Sequence, residues 1–193
     1  MTYKAFTNQG FCFQETIRVA KLLNSGVSVA EIAQLVLEEN LFELRSVASR
    51  KTLANAVLAR FEDIAIPDLS NVSLEAQRLM VLLLIARQHR LLSELMLELS
   101  DQVRVAPEIN QAVLQRFLSD ARERDVTLLG WSDQTFKKSC SNIIKYLLGS
   151  RLLVARADAY QISRPMLTGS ERRTIRELFG AWGLRMLGLG EAE

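Results

Sequence analysis

The stretch WSDQTFKKSCSNIIKYLLGSRLLVARADAYQIS, residues 131–163, decides the reading of the fold. Ser132 stands where a helix cap belongs, and Trp131 before it can pack on Phe136 as a hydrophobic staple. Phe136, Cys140, Ile143, Ile144, Leu147 and Leu148 then recur at helical spacing, and Gly149 ends the helix. Two short β-prone runs follow, Leu152-Leu153-Val154 and Tyr160-Gln161-Ile162. They flank Arg156-Ala157-Asp158, a turn with a turn-forming Asp, so the pair reads as a β-hairpin.

Upstream of this stretch, Pro107 suits the first turn of a helix. Ile109, Val113, Phe117, Leu118 and Ala121 give that helix an apolar face to about Arg124, and Asp125 to Gly130 form a short connection. Helix, turn, helix and hairpin over residues 107–163 is the order of a winged helix-turn-helix. Downstream, Ser170 is expected to cap a last helix running to about Leu187.

The first hundred residues read as helices throughout. One helix is expected over Gln14 to Leu23, ended by Asn24-Ser25-Gly26. Ser28 with Glu31 three residues on is a capping box, and Val29, Ile32, Ala33, Val36 and Leu37 follow at helical spacing. A third helix is expected over roughly 47–62, and Ile66 to Asn71 reads as a loop. After Ser73, Leu79 to Ala86 is apolar on every side, the mark of a helix at the centre of a bundle. Leu91, Leu92, Leu95, Met96 and Leu99 continue it or form a further helix. The expected organisation is an N-terminal helical bundle, 1–104, and a basic helix-turn-helix-like region with hairpin and last helix, 105–193. The fold class is mainly α, with an all-α arrangement as the alternative.

Composition agrees with this and narrows the function. Apolar residues make up 49% and charged residues 24%, with only 3 Pro and 9 Gly, which favours helix. The run from Leu79 to Ala86 is far short of the roughly 20 residues a membrane span needs. Met1 to Asn8 lacks the pattern of a signal peptide, and two widely separated cysteines, Cys12 and Cys140, suit a reducing compartment. A cytoplasmic location is therefore expected. Charge is unevenly placed: residues 134–185 hold 10 Lys/Arg against 3 Asp/Glu, whereas residues 1–133 hold 14 against 17. Such asymmetry points to a polyanionic partner.

The candidate reading helix presents Gln134, Lys138, Ser141, Asn142 and Lys145 opposite its apolar stripe, with no acid between Gln134 and Lys145. Lys binds phosphate or guanine, and Asn or Gln pairs with an adenine edge. Arg151 and Arg156 lie at the entry and tip of the hairpin, and Arg164 follows it. Arg172, Arg173 and Arg176 open the last helix, where cations oppose the helix dipole and phosphate would relieve the conflict. Catalysis has little support. The single histidine, His89, precludes any two-histidine site, the soft metal ligands are too few and scattered, and no phosphate loop of the GxxxxGK[ST] type occurs. Neither a cofactor nor a metal is implied.

Gly10 with Glu15-Thr16, the pair Gly26 and Ile32, Glu39-Asn40-Leu41, and above all Trp131-Ser132-x-x-Thr135-x-Lys137-Lys138 resemble the BrxA family, a small component of bacterial BREX phage-defence systems. The resemblance spans nearly the whole chain. It implies an all-helical cytoplasmic protein related in shape to the antitermination factor NusB and able to bind DNA. It also implies work beside other defence proteins: a methyltransferase, ATPases and a phosphatase-like subunit. The implied roles fall only on Trp131, Ser132, Thr135, Lys137 and Lys138. The expected partner is double-stranded DNA, with other BREX proteins beside it. RNA, or a scaffold role among proteins, is the alternative.

Overall fold

A computed structural model describes residues 3–5 and 10–190. Most of the Met1–Asn8 reading, and the acidic tail Glu191–Glu193, lie outside them. Helices α1 (Phe13–Asn24), α2 (Val29–Glu38) and α3 (Val47–Leu58) lead through a 3-10 turn, Ala59–Phe61, to α4 (Leu74–Ala86) and α5 (Arg90–Val105). Local chemistry starts several of them. Ser28 Oγ accepts the Glu31 N–H at 3.2 Å, and the Glu31 carboxylate accepts the Ser28 N–H at 2.8 Å, closing the expected box. Ser46 and Ser73 cap α3 and α4 through the N–H groups of Ser49 and Ala76.

Helix α4 is the centre of the molecule. Every side chain from Leu79 to Ala86 is buried, because α1 and α5 pack around it together with two later helices. Each large apolar side chain buried there contributes roughly 1.5–3 kcal/mol before conformational entropy is set against it. Among the described residues no helix is long and apolar enough to cross a membrane.

The chain continues as β1 (Glu108–Asn110), α6 (Gln111–Arg124), α7 (Val126–Leu129), α8 (Asp133–Gly149), β2 (Leu153–Ala155), β3 (Ala159–Ile162) and α9 (Gly169–Met186). The strands form one antiparallel sheet in the order β1-β3-β2, with Ile109 opposite Tyr160 and Val154 opposite Gln161. The molecule is thus mainly helical with a small sheet that includes the expected hairpin, and the all-α alternative is set aside.

Local structure departs from expectation at Pro107, Ile109, Val113 and Ser170. Pro107 does not begin a helix: its carbonyl accepts the Ile162 N–H at 2.7 Å, and Ile109 is buried on β1 rather than on the face of α6. The helix starts only after Asn110, whose Oδ1 accepts the Val113 N–H at 2.9 Å. That start turns Val113 outward and Leu114 inward, beside Leu118 and Ala121. The last helix is capped by Thr168, not Ser170. Thr168 Oγ1 accepts the Glu171 N–H at 3.3 Å, and Glu171 reaches back to the Thr168 N–H at 2.8 Å. Helix α9 packs on α4 and α5. It kinks at Gly180, whose φ of 65° and ψ of −165° suit glycine alone.

Arg60 ties the start of the chain to this core. Its guanidinium is 2% exposed and donates to the carbonyls of Phe11 at 2.8 Å and Gly10 at 3.1 Å, and to Thr16 Oγ1. Cys12, in the left-handed region at φ 47°, sits within this turn at the head of α1. Backbone carbonyls here do the work a buried carboxylate would otherwise do.

Candidate nucleic-acid interface

Helix α8 is held on two sides. Phe136, Ile143 and Leu147 are buried in the core on one side, while Ser139, Asn142 and Tyr146 are buried along the adjoining flank. Tyr146 meets the Phe11 ring, with centroids 6.4 Å apart, and α8 also packs on α4. Only a narrow crest is left to solvent, and it carries Gln134, Lys137, Lys138, Ser141 and Lys145. No acid interrupts that crest beyond Asp133.

Asn142 is not on it. At 9% exposure it belongs to the buried flank, so the expectation of a base-reading asparagine at this position is corrected. An exposed arc estimated from one apolar stripe is too wide when a helix has two neighbours.

The start of α8 is fixed by Arg122 of α6. Its Nη1 contacts Asp133 Oδ1 at 2.8 Å, its Nη2 donates to the Trp131 carbonyl at 2.8 Å, and its guanidinium lies 4.8 Å from the Phe136 ring centre. The Arg122 guanidinium beside Asp133 holds that carboxyl below the usual carboxylate range. Ser132 Oγ caps the helix through the Thr135 N–H at 3.2 Å. Thus the most distinctive motif in the sequence, Trp131 to Lys138, is the hinge that orients α8 on α6. Nothing in the local sequence marks Arg122, because its partners lie nine to eleven positions downstream.

The remaining candidate cations are spread over other elements. Arg151 is exposed just after α8, in the left-handed region at φ 65°, where its N–H closes on the Leu148 carbonyl at 3.0 Å. Arg156 opens the hairpin turn and folds back on Gln161 Oε1, with Nε at 3.1 Å. Arg164 donates to the Val103 carbonyl at 2.9 Å, which pins the segment after β3 to the end of α5. These acceptors are neutral, so the positive charge of Arg156 and Arg164 is not cancelled by them. Arg172, Arg173 and Arg176 are exposed on α9. The α9 N-terminus itself is engaged by Thr168 and Glu171, so the vacant anion pocket expected there is filled from within.

Among the described residues no group of three or more His, Cys, Asp or Glu converges on a place for a metal ion. Burial pushes the Cys140 thiol up to about 11 and also raises Cys12, so both stay protonated at neutral pH. His89 is 5% exposed at the head of α5, and burial beside Arg60 holds its pKa down at about 4.

A family model described as BrxA matches residues 1–178 of the chain. A curated relative named BREX protein BrxA, from Bacillus cereus (strain H3081.97), is 28% identical over 171 residues, which is 86% of each chain. The fold is shared with a crystal structure of an uncharacterized protein from Magnetospirillum magneticum. That match has a TM-score of 0.78 and 20% identity, and covers 97% of this chain and 99% of that one.

Proposed function

The chain belongs to the BrxA family, components of the BREX phage-defence systems, and from that premise we propose that it is a non-enzymatic accessory protein that binds duplex DNA. The observation that carries this reading is the crest of α8. It is narrow, cationic and free of acids between Gln134 and Lys145, and it stands in a unit whose order is helix α5, strand, helix, short helix, helix, hairpin. With β3 central in the sheet, this is the order of a winged helix, in which the last helix enters the major groove and the hairpin rests on the backbone.

In this reading Lys138 and Lys145 neutralise phosphates at the groove edge, and Gln134 and Ser141 supply polar contacts between them. Arg151 and Arg156 extend the contact along the wing. Arg164 and the α9 arginines, Arg172, Arg173 and Arg176, add a basic surface outside the unit. Few side chains on the crest read base edges in pairs, so phosphate contacts dominate and sequence preference is weak. The proposed organisation keeps the bundle, 1–104, as a platform that lends α5 to the winged unit, and residues 105–193 as the rest of the binding part. Other BREX proteins are the partners that family membership implies, and a cytoplasmic location follows from the role.

The test is the salt dependence of binding. A mixed-sequence duplex titrated by fluorescence anisotropy should give a log K against log salt slope near −4.5 if about five phosphates are engaged. Affinity independent of salt contradicts the proposal. A protein scaffold would instead show no duplex affinity, and RNA binding would show a preference for an RNA stem-loop over the duplex.

A further inference from the structure

Between α6 and α8 lies a concave groove of about 710 Å³, on the side of α8 that turns away from the α4 bundle. We propose that this groove holds a single nucleotide unit, a planar base with its phosphate, and that it shares Lys137, Ser141 and Lys145 with the crest along its α8 edge. Its size falls within the range of small-molecule sites, roughly 300–1,000 Å³, and is far too small for a duplex.

The floor is apolar, built from Leu118, Phe136, Cys140 and Ile144, and Tyr160 of β3 lines the groove beside them. Cys140 behaves there as a small apolar residue, since its thiol stays neutral. Over the floor lies the guanidinium of Arg122, fixed by Asp133 and the Trp131 carbonyl against the Phe136 ring. A guanidinium fixed in this way, together with a half-buried tyrosine, offers the stacking faces by which unpaired bases are recognised.

The rim supplies the rest of a nucleotide's chemistry. Lys137 and Lys145 stand on the α8 edge, and no acidic residue lines the groove, so the lining itself favours an anion, with Asp133 the nearby carboxylate already paired to Arg122. On the α6 edge Gln111 and Gln115 present planar amides, each with donors and acceptors suited to a base edge. Floor, stacking faces, cations and amides converge on one cavity, and no other described feature combines them. The same chemistry reaches the groove from two sources, a free nucleotide or an unpaired nucleotide within a strand.

The full chain is titrated with the four 2′-deoxynucleoside 5′-monophosphates by calorimetry, and with a labelled ten-residue thymidine oligonucleotide by anisotropy. Ser119 is exposed on α6 and lines the groove without belonging to the crest, so Ser119→Trp fills the cavity from the α6 side and keeps every crest side chain. Gln115→Leu, also at an exposed position, removes one amide as an independent check. We expect at least a tenfold loss of oligonucleotide affinity in Ser119→Trp and less than a twofold change for duplex. Parallel loss of mononucleotide binding identifies a free nucleotide as the ligand, whereas loss for the oligonucleotide alone identifies a nucleotide within a strand. The proposal is overturned if neither probe binds the wild type, or if both variants bind them unchanged. Failure of duplex binding alone would count against the crest and not against the groove.

Discussion

Glu171 Oε1 accepts the backbone N–H of Ser73 at 2.8 Å, 98 positions away, while its Oε2 accepts the N–H of Thr168, also at 2.8 Å. One carboxylate thus serves the N-termini of two helices, α4 at the centre of the bundle and α9 at its edge. Burial opposes the charge, but the donors at Ser73 and Thr168 outweigh it and hold the carboxyl down at about 2. Because the folded value lies below the ordinary 4.5, the stabilisation is full above pH 4.5 and is lost as pH falls toward 2. Glu171→Gln should cost about 2 kcal/mol at neutral pH and reduce the acid sensitivity within that window. Urea denaturation of both proteins across pH 2–7 checks this.

His89 gives the second pH signature. Its folded pKa of about 4 lies below the ordinary 6.5, so the unfolded chain binds the proton first and stability falls as pH drops from 6.5 toward 4. No other histidine exists to contribute in this range. His89→Gln should therefore flatten the slope of unfolding free energy between pH 6.5 and 5, measured by the same urea series.

Arg60 should be among the least replaceable side chains. Its substitution leaves the carbonyls of Gly10 and Phe11 and the hydroxyl of Thr16 without their donor in a buried place. Arg60→Met is expected to destabilise by about 3 kcal/mol, and Arg60→Lys to recover only part of this, since one ammonium cannot match the spread of the guanidinium. Thermal unfolding of the two variants ranks them.

The kink in α9 rests on one residue. A side chain at Gly180, at φ 65° and ψ −165°, is strained even though nothing lies within 4 Å of its added Cβ. Gly180→Ala should cost about 1–3 kcal/mol through the backbone alone. A crystal structure of the variant should show the two halves of α9 rotated relative to each other.

How far the molecule was legible depends on how local its causes are. The Ser28–Glu31 box and the all-apolar run in α4 are decided within a few residues, and the sequence displays both. Thr168-x-x-Glu171 is an equally local capping box, yet the cap was expected at Ser170, because serine is as good a cap and stands nearer the arginines. Strand β1 was not: three residues, Glu108 to Asn110, carry no periodicity, and only Tyr160 and its neighbours make them a strand. The crest of α8 was legible in Gln134, Lys138, Ser141 and Lys145, because charge and spacing mark a solvent face. Asn142 was misplaced because the second flank of α8 is buried by elements distant in sequence. The fixing of Arg122 and the groove beside it could not be read at all, since they depend on how α6 meets α8.

Duplex binding by the double charge reversal Lys138→Glu/Lys145→Glu, followed by anisotropy at low and near-physiological salt, puts the crest of α8 to the test. Both side chains are exposed on the crest, so the fold should be retained, as circular dichroism would verify. The wild type should bind duplex in a salt-sensitive way, and the variant should lose at least tenfold in affinity with a shallower salt slope. Duplex affinity equal in the two proteins would contradict it.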